Sequence, residues 1–136
     1  MALDTCHEQI VRALEKAGWN VASSPFKLIL PSRLVYIDLR MSRGMNGSRD
    51  QIVLVEVKCF PDQKSTTRDL YTSIGQYLVY RAMIVQSEFP YSLYLAVPEH
   101  IFSVVFDTAV MQVVNESSIR IVVINVQTET VAQWIE

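Results

Sequence analysis

The chain has 136 residues, half of them hydrophobic and 19% charged, with 12 Lys and Arg against 14 Asp and Glu for a net charge of −2. That balance excludes a disordered or low-complexity chain and a histone-like polycation, and it predicts one globular domain over residues 1–136 with enough apolar mass for a core. Apolar runs stay short of the roughly 18 residues of a membrane span, Asp4 and Glu8 stand where a signal peptide would be basic, and Cys6 and Cys59 with His7 and His100 give neither a disulfide framework nor a zinc spacing. The expectation is a soluble, cytoplasmic, thiol-reduced protein with no membrane partner.

From the N-terminus, Cys6, Ile10, Ala13, Leu14 and Ala17 recur at helical spacing and Gly18 follows as a stop, which predicts an amphipathic helix over 4–17. Phe26 to Leu30, between two prolines, is a short apolar strand. Residues 34–41 alternate, with Val35, Ile37, Leu39 and Met41 on one side and Tyr36, Asp38 and Arg40 on the other, and are expected to form one strand. The Gly-, Asn- and Ser-rich segment 43–50 predicts an exposed hairpin turn into a third strand over 51–60. That strand places Val53, Val55, Val57 and Cys59 on one face, with Cys59 as a buried thiol, and Ile52, Leu54, Glu56 and Lys58 on the other.

After Pro61 a polar linker leads to a long helix over about 67–86. A strand over 91–97, one or two helices over 99–114, and β-branched strands over 119–126 and 130–135 close the chain. The order predicts an α/β fold, a mixed β-sheet flanked by helices.

Charge is uneven along this order. Residues 27–81 hold nine basic and five acidic residues, a net of +4, against three basic and nine acidic elsewhere, a net of −6. Lys27, Arg33, Arg40, Arg43, Arg49, Lys64, Arg68 and Arg81 are the candidate contacts to a DNA phosphate backbone. A solvated face of mixed charge is the other reading, and Arg43 and Arg49 equally suit a soluble hairpin tip.

Glu56 and Lys58, two apart in Ile-Val-Leu-Val-Glu-Val-Lys, share a face of the most apolar strand, and a hairpin would bring Asp38 beside Glu56 as a cross-strand neighbour. Two converging carboxylates suit a hard cation such as Mg²⁺ or Mn²⁺. An adjacent ammonium can orient an attacking water and stabilise charge on a phosphate, so the constellation points to metal-dependent phosphodiester hydrolysis. A same-face ion pair on a solvated sheet is the bland alternative. On the long helix Asp69, Ser73, Gln76 and Tyr80 form a polar stripe that should face a metal site or a DNA backbone, although Tyr77 and Tyr80 also fit as core aromatics.

The spacing Asp38, seventeen residues, Glu56-Val57-Lys58, in a helix-strand-strand-strand-helix order, resembles the PD-(D/E)XK superfamily of restriction-endonuclease-like folds. That resemblance implies that Asp38 and Glu56 ligate the metal and that Lys58 assists the nucleophile. It also implies that Glu8 on the first helix completes the site, and that Gln76 and Tyr80 match a Q-x-x-x-Y element positioning substrate or Lys58. Ile37 stands where that pattern often has proline. Glu8 has a second reading, since Thr5-x-x-Glu8 is also a capping box.

Across nearly the whole chain, Tyr36-Ile37-Asp38-Leu39, Val55 to Phe60, Gly75-Gln76-Tyr77 through Tyr80-Arg81, Leu93 to Glu99 and Trp134-Ile135 resemble the XisH family of fdxN element excision controlling factors. That resemblance implies action on DNA during programmed element excision by a site-specific recombinase, with an XisI-like companion protein as partner. The chain would be either an endonuclease or a non-catalytic accessory factor that binds DNA, recombinase or companion. A homodimer is expected by analogy with small nuclease folds.

Overall fold

A computed structural model describes residues 5–45 and 48–136, with the side chains of residues 45, 48 and 49 outside the described set. Helix α1 (His7–Lys16) buries Ile10, Ala13 and Leu14 at helical spacing. It ends where Gly18 takes φ +98° and the Gly18 and Trp19 amides donate to the Glu15 and Leu14 carbonyls, the two bonds of a Schellman cap. The short strand β1 (Asn20–Val21) leads to a hairpin of β2 (Phe26–Leu30) and β3 (Arg33–Ile37), then to β4 (Leu39–Met45) and β5 (Ser48–Val57). A single 3₁₀ turn precedes α2 (Thr66–Gln86), and β6 (Ser92–Pro98), α3 (Glu99–Val105), α4 (Thr108–Glu116), β7 (Ile121–Asn125) and β8 (Thr130–Ile135) complete the order.

Six strands form one mixed sheet in the order β1-β4-β5-β6-β7-β8, and β2-β3 form a separate two-stranded ribbon. The central strands β5, β6 and β7 run parallel, with α2 and then α3-α4 as crossovers, while β4 and β8 flank them antiparallel and β1 pairs antiparallel with β4 at the edge. Burial on both faces explains why β6 and β7 read as continuous apolar runs. One core packs Leu54, Leu93, Leu95, Val97, Ile121 and Val123 beneath α2, α4 and the β2-β3 ribbon. The other packs Met41, Val53, Val55, Val57, Tyr94, Ala96, Val122 and Ile124 beneath α1.

The mixed α/β architecture agrees with the expectation from sequence, with two corrections of consequence. Residues 34–41 are not one strand: β3 pairs with β2, β4 pairs with β5 and β1, and the chain bends at Asp38. Ile37 belongs to the first core and Leu39 and Met41 to the second, so the backbone must change faces between them. Cys59 is not a free buried thiol, because it bonds to Cys6 with the Cα atoms 5.7 Å apart. Period-two alternation points Cys59 at α1, where Cys6 is the N-cap.

Two smaller differences concern strand ends. The expected turn over 43–50 is shorter, since the β4-β5 ladder continues to Met45 opposite Ser48. The third strand ends at Val57 rather than residue 60, although the Lys58 amide still donates to the Ala96 carbonyl at 3.0 Å, and Phe60 turns the chain away at φ 53°. Among the described residues no helix is long and apolar enough to cross a membrane.

Tyr77, 1% exposed, fastens α2 to the sheet: its hydroxyl donates to the Leu93 carbonyl at 2.8 Å and accepts from the Arg120 amide at 3.1 Å. Tyr77→Phe leaves both buried backbone groups unpartnered. It is expected to cost about 1–3 kcal/mol of stability in urea denaturation.

Candidate active site

The bend at Asp38 and the end of β5 build the site together. The register Leu39 opposite Val55 and Arg40 opposite Leu54 brings Asp38 level with Glu56. The two residues then lock crosswise: the Asp38 amide donates to Glu56 Oε1 at 3.1 Å, and the Val57 amide donates to Asp38 Oδ2 at 2.8 Å. Side chains thus replace the ladder bonds that a continuous strand would have made. Lys58 Nζ lies 3.9 Å from Glu56 Oε2 on the same face.

Glu56 is a charged residue in an apolar strand, 5% exposed. Burial and the neighbouring Asp38 carboxylate push its carboxyl up to about 8, opposed by the Asp38 amide and by Lys58. On α2 the Gln76 amide donates to the Tyr80 hydroxyl at 2.8 Å. The Tyr80 phenol is raised, first by burial and then by the nearby Glu56 and Asp38 carboxylates, while the Gln76 contact acts the other way. Gln76 and Tyr80 therefore stand on the helix face turned to the carboxylate pair, and the buried Gln76 Oε1 has no hydrogen-bond partner among the described residues.

The polar stripe on α2 divides here. Ser73 is buried and donates to the Asp69 carbonyl at 2.6 Å, and Asp69 Oδ2 accepts from Ser65 at 3.4 Å. These residues border a cleft of about 260 Å³ that runs from Lys58 along the loop to Asp62 and past Ser65, Asp69 and Thr72. The stripe read from sequence includes Asp69 and Ser73 but not Ser65 and Thr72, which share its helical period and border the same cleft.

Glu8 is not brought to the pair: it is 80% exposed, with Arg12 at 4.0 Å. Cys6 rather than Thr5 is the N-cap, and it makes no side-chain cap bond, so the capping box does not form either. Among the described residues there is no group of three or more His, Cys, Asp or Glu able to hold a metal. Asp38 and Glu56 supply carboxylate oxygens, and Gln76 Oε1, on the helix whose Tyr80 lies near them, is an acceptor without a partner among the described residues. Such an oxygen donor set suits Mg²⁺ or Mn²⁺ in kind.

The basic residues do not form one patch. Arg43 stacks 4.5 Å from the Trp19 ring centre and donates to Gln51 Oε1, on the α1 face of the sheet. Arg81 lies over Tyr77 and donates to the Ser118 carbonyl. Lys27 and Arg33 are exposed on the β2-β3 ribbon, Arg40 is half-buried opposite Leu54, and Lys64 and Arg68 are exposed at the start of α2. The side chain of Arg49 lies outside the described residues.

The family model described as XisH protein matches residues 1–132. The crystal structure of an XisH family protein from Nostoc punctiforme PCC 73102 superposes with a TM-score of 0.86 at 25% identity, covering 98% of this chain and 100% of that one. The structure of an fdxN element excision controlling factor protein from Anabaena variabilis superposes with a TM-score of 0.83 at 28% identity and the same coverage. No curated protein matches the chain.

The raised Glu56 carboxyl makes stability depend on pH. Below its usual value of 4.5 both folded and unfolded chains hold this proton, and between 4.5 and about 8 the folded chain holds it more tightly. Stability from this group is therefore complete at acid pH and is lost as pH rises towards 8. Glu56→Gln removes the titration, so its melting temperature is expected to exceed that of the native chain at pH 8 in the absence of metal. The gap should close towards pH 4.5, at about 2–4 °C per kcal/mol for a domain of this size.

Proposed function

The chain belongs to the XisH family, and from that membership and the site geometry we propose that it is a metal-dependent endonuclease of the PD-(D/E)XK type, acting on DNA phosphodiesters during programmed element excision. The observation that carries this is the crosswise lock of Asp38 and Glu56 with Lys58 on the same face. The two carboxylates satisfy backbone amides, yet a neutral acceptor at either position would do the same without setting one carboxylate against another. Holding the buried Glu56 beside the half-buried Asp38 carboxylate is costly, and a divalent cation removes that cost.

In this account Asp38 and Glu56 hold Mg²⁺ or Mn²⁺, which when bound polarises a phosphoryl oxygen and makes water more acidic. Lys58 points its ammonium at the attacked phosphate, where it orients the water and stabilises the developing negative charge. Gln76 Oε1 accepts from the Lys58 ammonium or from the water, and Tyr80 holds the Gln76 amide in place. Lys64 and Arg68, beside the cleft, serve the phosphate backbone.

A second reading, an accessory factor without catalysis, is favoured by one observation. Arg43 and Arg81 each hold an intramolecular contact, Arg43 on the α1 face of the sheet and Arg81 on α2, which disperses the basic surface that DNA would need. Under that reading the chain binds an XisI-like companion or the site-specific recombinase in the cytoplasm and directs excision.

The two readings separate on cleavage. The native chain is expected to bind Mn²⁺ in calorimetry and to nick DNA with Mg²⁺ or Mn²⁺, and Asp38→Asn, Glu56→Gln and Lys58→Met are each expected to lower the rate at least about a hundredfold. Full cleavage by Glu56→Ala, or no metal binding by the native chain, would overturn the hydrolytic role. Excision in cells that survives Asp38→Ala would establish the accessory one.

A further inference from the structure

A helix buries one apolar stripe against its sheet, and a second apolar stripe left facing water needs a cover of its own. Helix α2 has 21 residues of which only Arg68, Asp69 and Arg81 are charged, and it covers the sheet with one face only. Its outward stripe is Tyr71, Gly75, Val79, Ala82 and Gln86, spaced three and four apart and all exposed. The β2-β3 ribbon lies beside it in the same layer, the two meeting along a groove between Leu30 to Arg33 and residues 78–86. The ribbon's outward side chains include Ile29, 71% exposed, and Leu34, 49% exposed. Tyr71, Val79, Ile29, Leu34 and Tyr36 together offer on the order of 600 Å², close to the roughly 800 Å² that one partner contributes to a standard interface.

Two features identify the occupant. First, the stripe reads large, small, medium, small, large in either direction. An antiparallel second copy with the two-fold axis beside Val79, between it and Leu78, would set Gly75 against Ala82, and Tyr71 against Gln86. The same register brings exposed Arg68, one turn before Tyr71, level with Phe89 and so one residue from exposed Glu88, just past the helix end, which puts opposite charges near each other at both rims. Second, Gly75 has no reason within one copy: among the described residues nothing lies within 4 Å of where a Cβ would stand. A glycine inside an exposed helix costs about 0.5–1 kcal/mol against alanine, and close approach of another helix accounts for it.

We propose that the outward face of α2, flanked by the β2-β3 ribbon, is an isologous interface between two copies of this chain, with the helices antiparallel across Val79. This inference is independent of the hydrolytic role. It has a consequence for it, because Gln76 and Tyr80 sit on the same helix and Asp38 directly follows the ribbon. Pairing would thus couple the two candidate sites rigidly.

The test is sedimentation equilibrium of the full chain at 10–100 µM, with circular dichroism as the folding control. The native chain is expected to be a dimer. Val79→Arg, which places like charges beside the axis, and Gly75→Leu, which has room in one copy but not across the interface, should each weaken association at least tenfold. Arg68→Glu should weaken it less and Arg68→Glu with Glu88→Arg should restore it, while Val104→Arg on exposed α3 should change nothing. A native chain that is monomeric at 100 µM, or a dimer indifferent to both Gly75→Leu and Val79→Arg, overturns the proposal. Gly75→Leu keeps it falsifiable even if Val79→Arg fails to fold.

Discussion

The constraint on which the site depends is the change of face at Asp38. Ile37 is committed to the core under α2 and Leu39 to the core under α1, so the chain between them cannot remain in one pleated strand. A bend in a buried sheet strands backbone donors, and those donors must find partners. Asp38 and Glu56 provide them, the Glu56 carboxylate accepting from the Asp38 amide and the Asp38 carboxylate from the Val57 amide. The two acids are therefore structural before they are chemical: they close the ladder where β3 departs from β4.

That origin also sets the electrostatics. Because the acceptors sit at the end of a fully covered strand, Glu56 is removed from water and faces a second carboxylate, and its proton is held to about 8. Lys58, one residue past the strand, compensates in part at 3.9 Å. Across from them α2 contributes neutral polar groups, the Gln76 amide and the Tyr80 phenol, rather than another charge. The helix is fixed at this distance by Tyr77, whose hydroxyl bridges β6 and the residue before β7. Substituting the tyrosine hydroxyl would disturb the site through the helix without touching it.

Much of this was legible in the sequence, for reasons that differ by residue. The same-face pair Glu56 and Lys58 followed from period two in an apolar run, and β2, α2 and β8 were readable because prolines or turn residues bound them. The bend at Asp38 was not legible, since alternation from Val35 to Met41 continues unbroken while the faces it refers to exchange. Pairing of Cys6 with Cys59 was hidden by 53 residues of separation. Glu8 was misleading because helical spacing fixes its angle around α1 but not which side of the sheet α1 covers. Charge counts misled likewise: a net of +4 over 27–81 says nothing of Arg43 stacking on Trp19 across the sheet from Glu56.

The central claim is that the carboxylate pair exists to hold a divalent cation beside Lys58. A crystal soaked in Mn²⁺ and measured at the manganese edge tests it most directly. The account predicts an anomalous peak between Asp38 and Glu56 that is absent from an Asp38→Asn crystal treated identically. Both carboxylates still bonded only to the Val57 and Asp38 amides at millimolar Mn²⁺, with no peak between them, would contradict it.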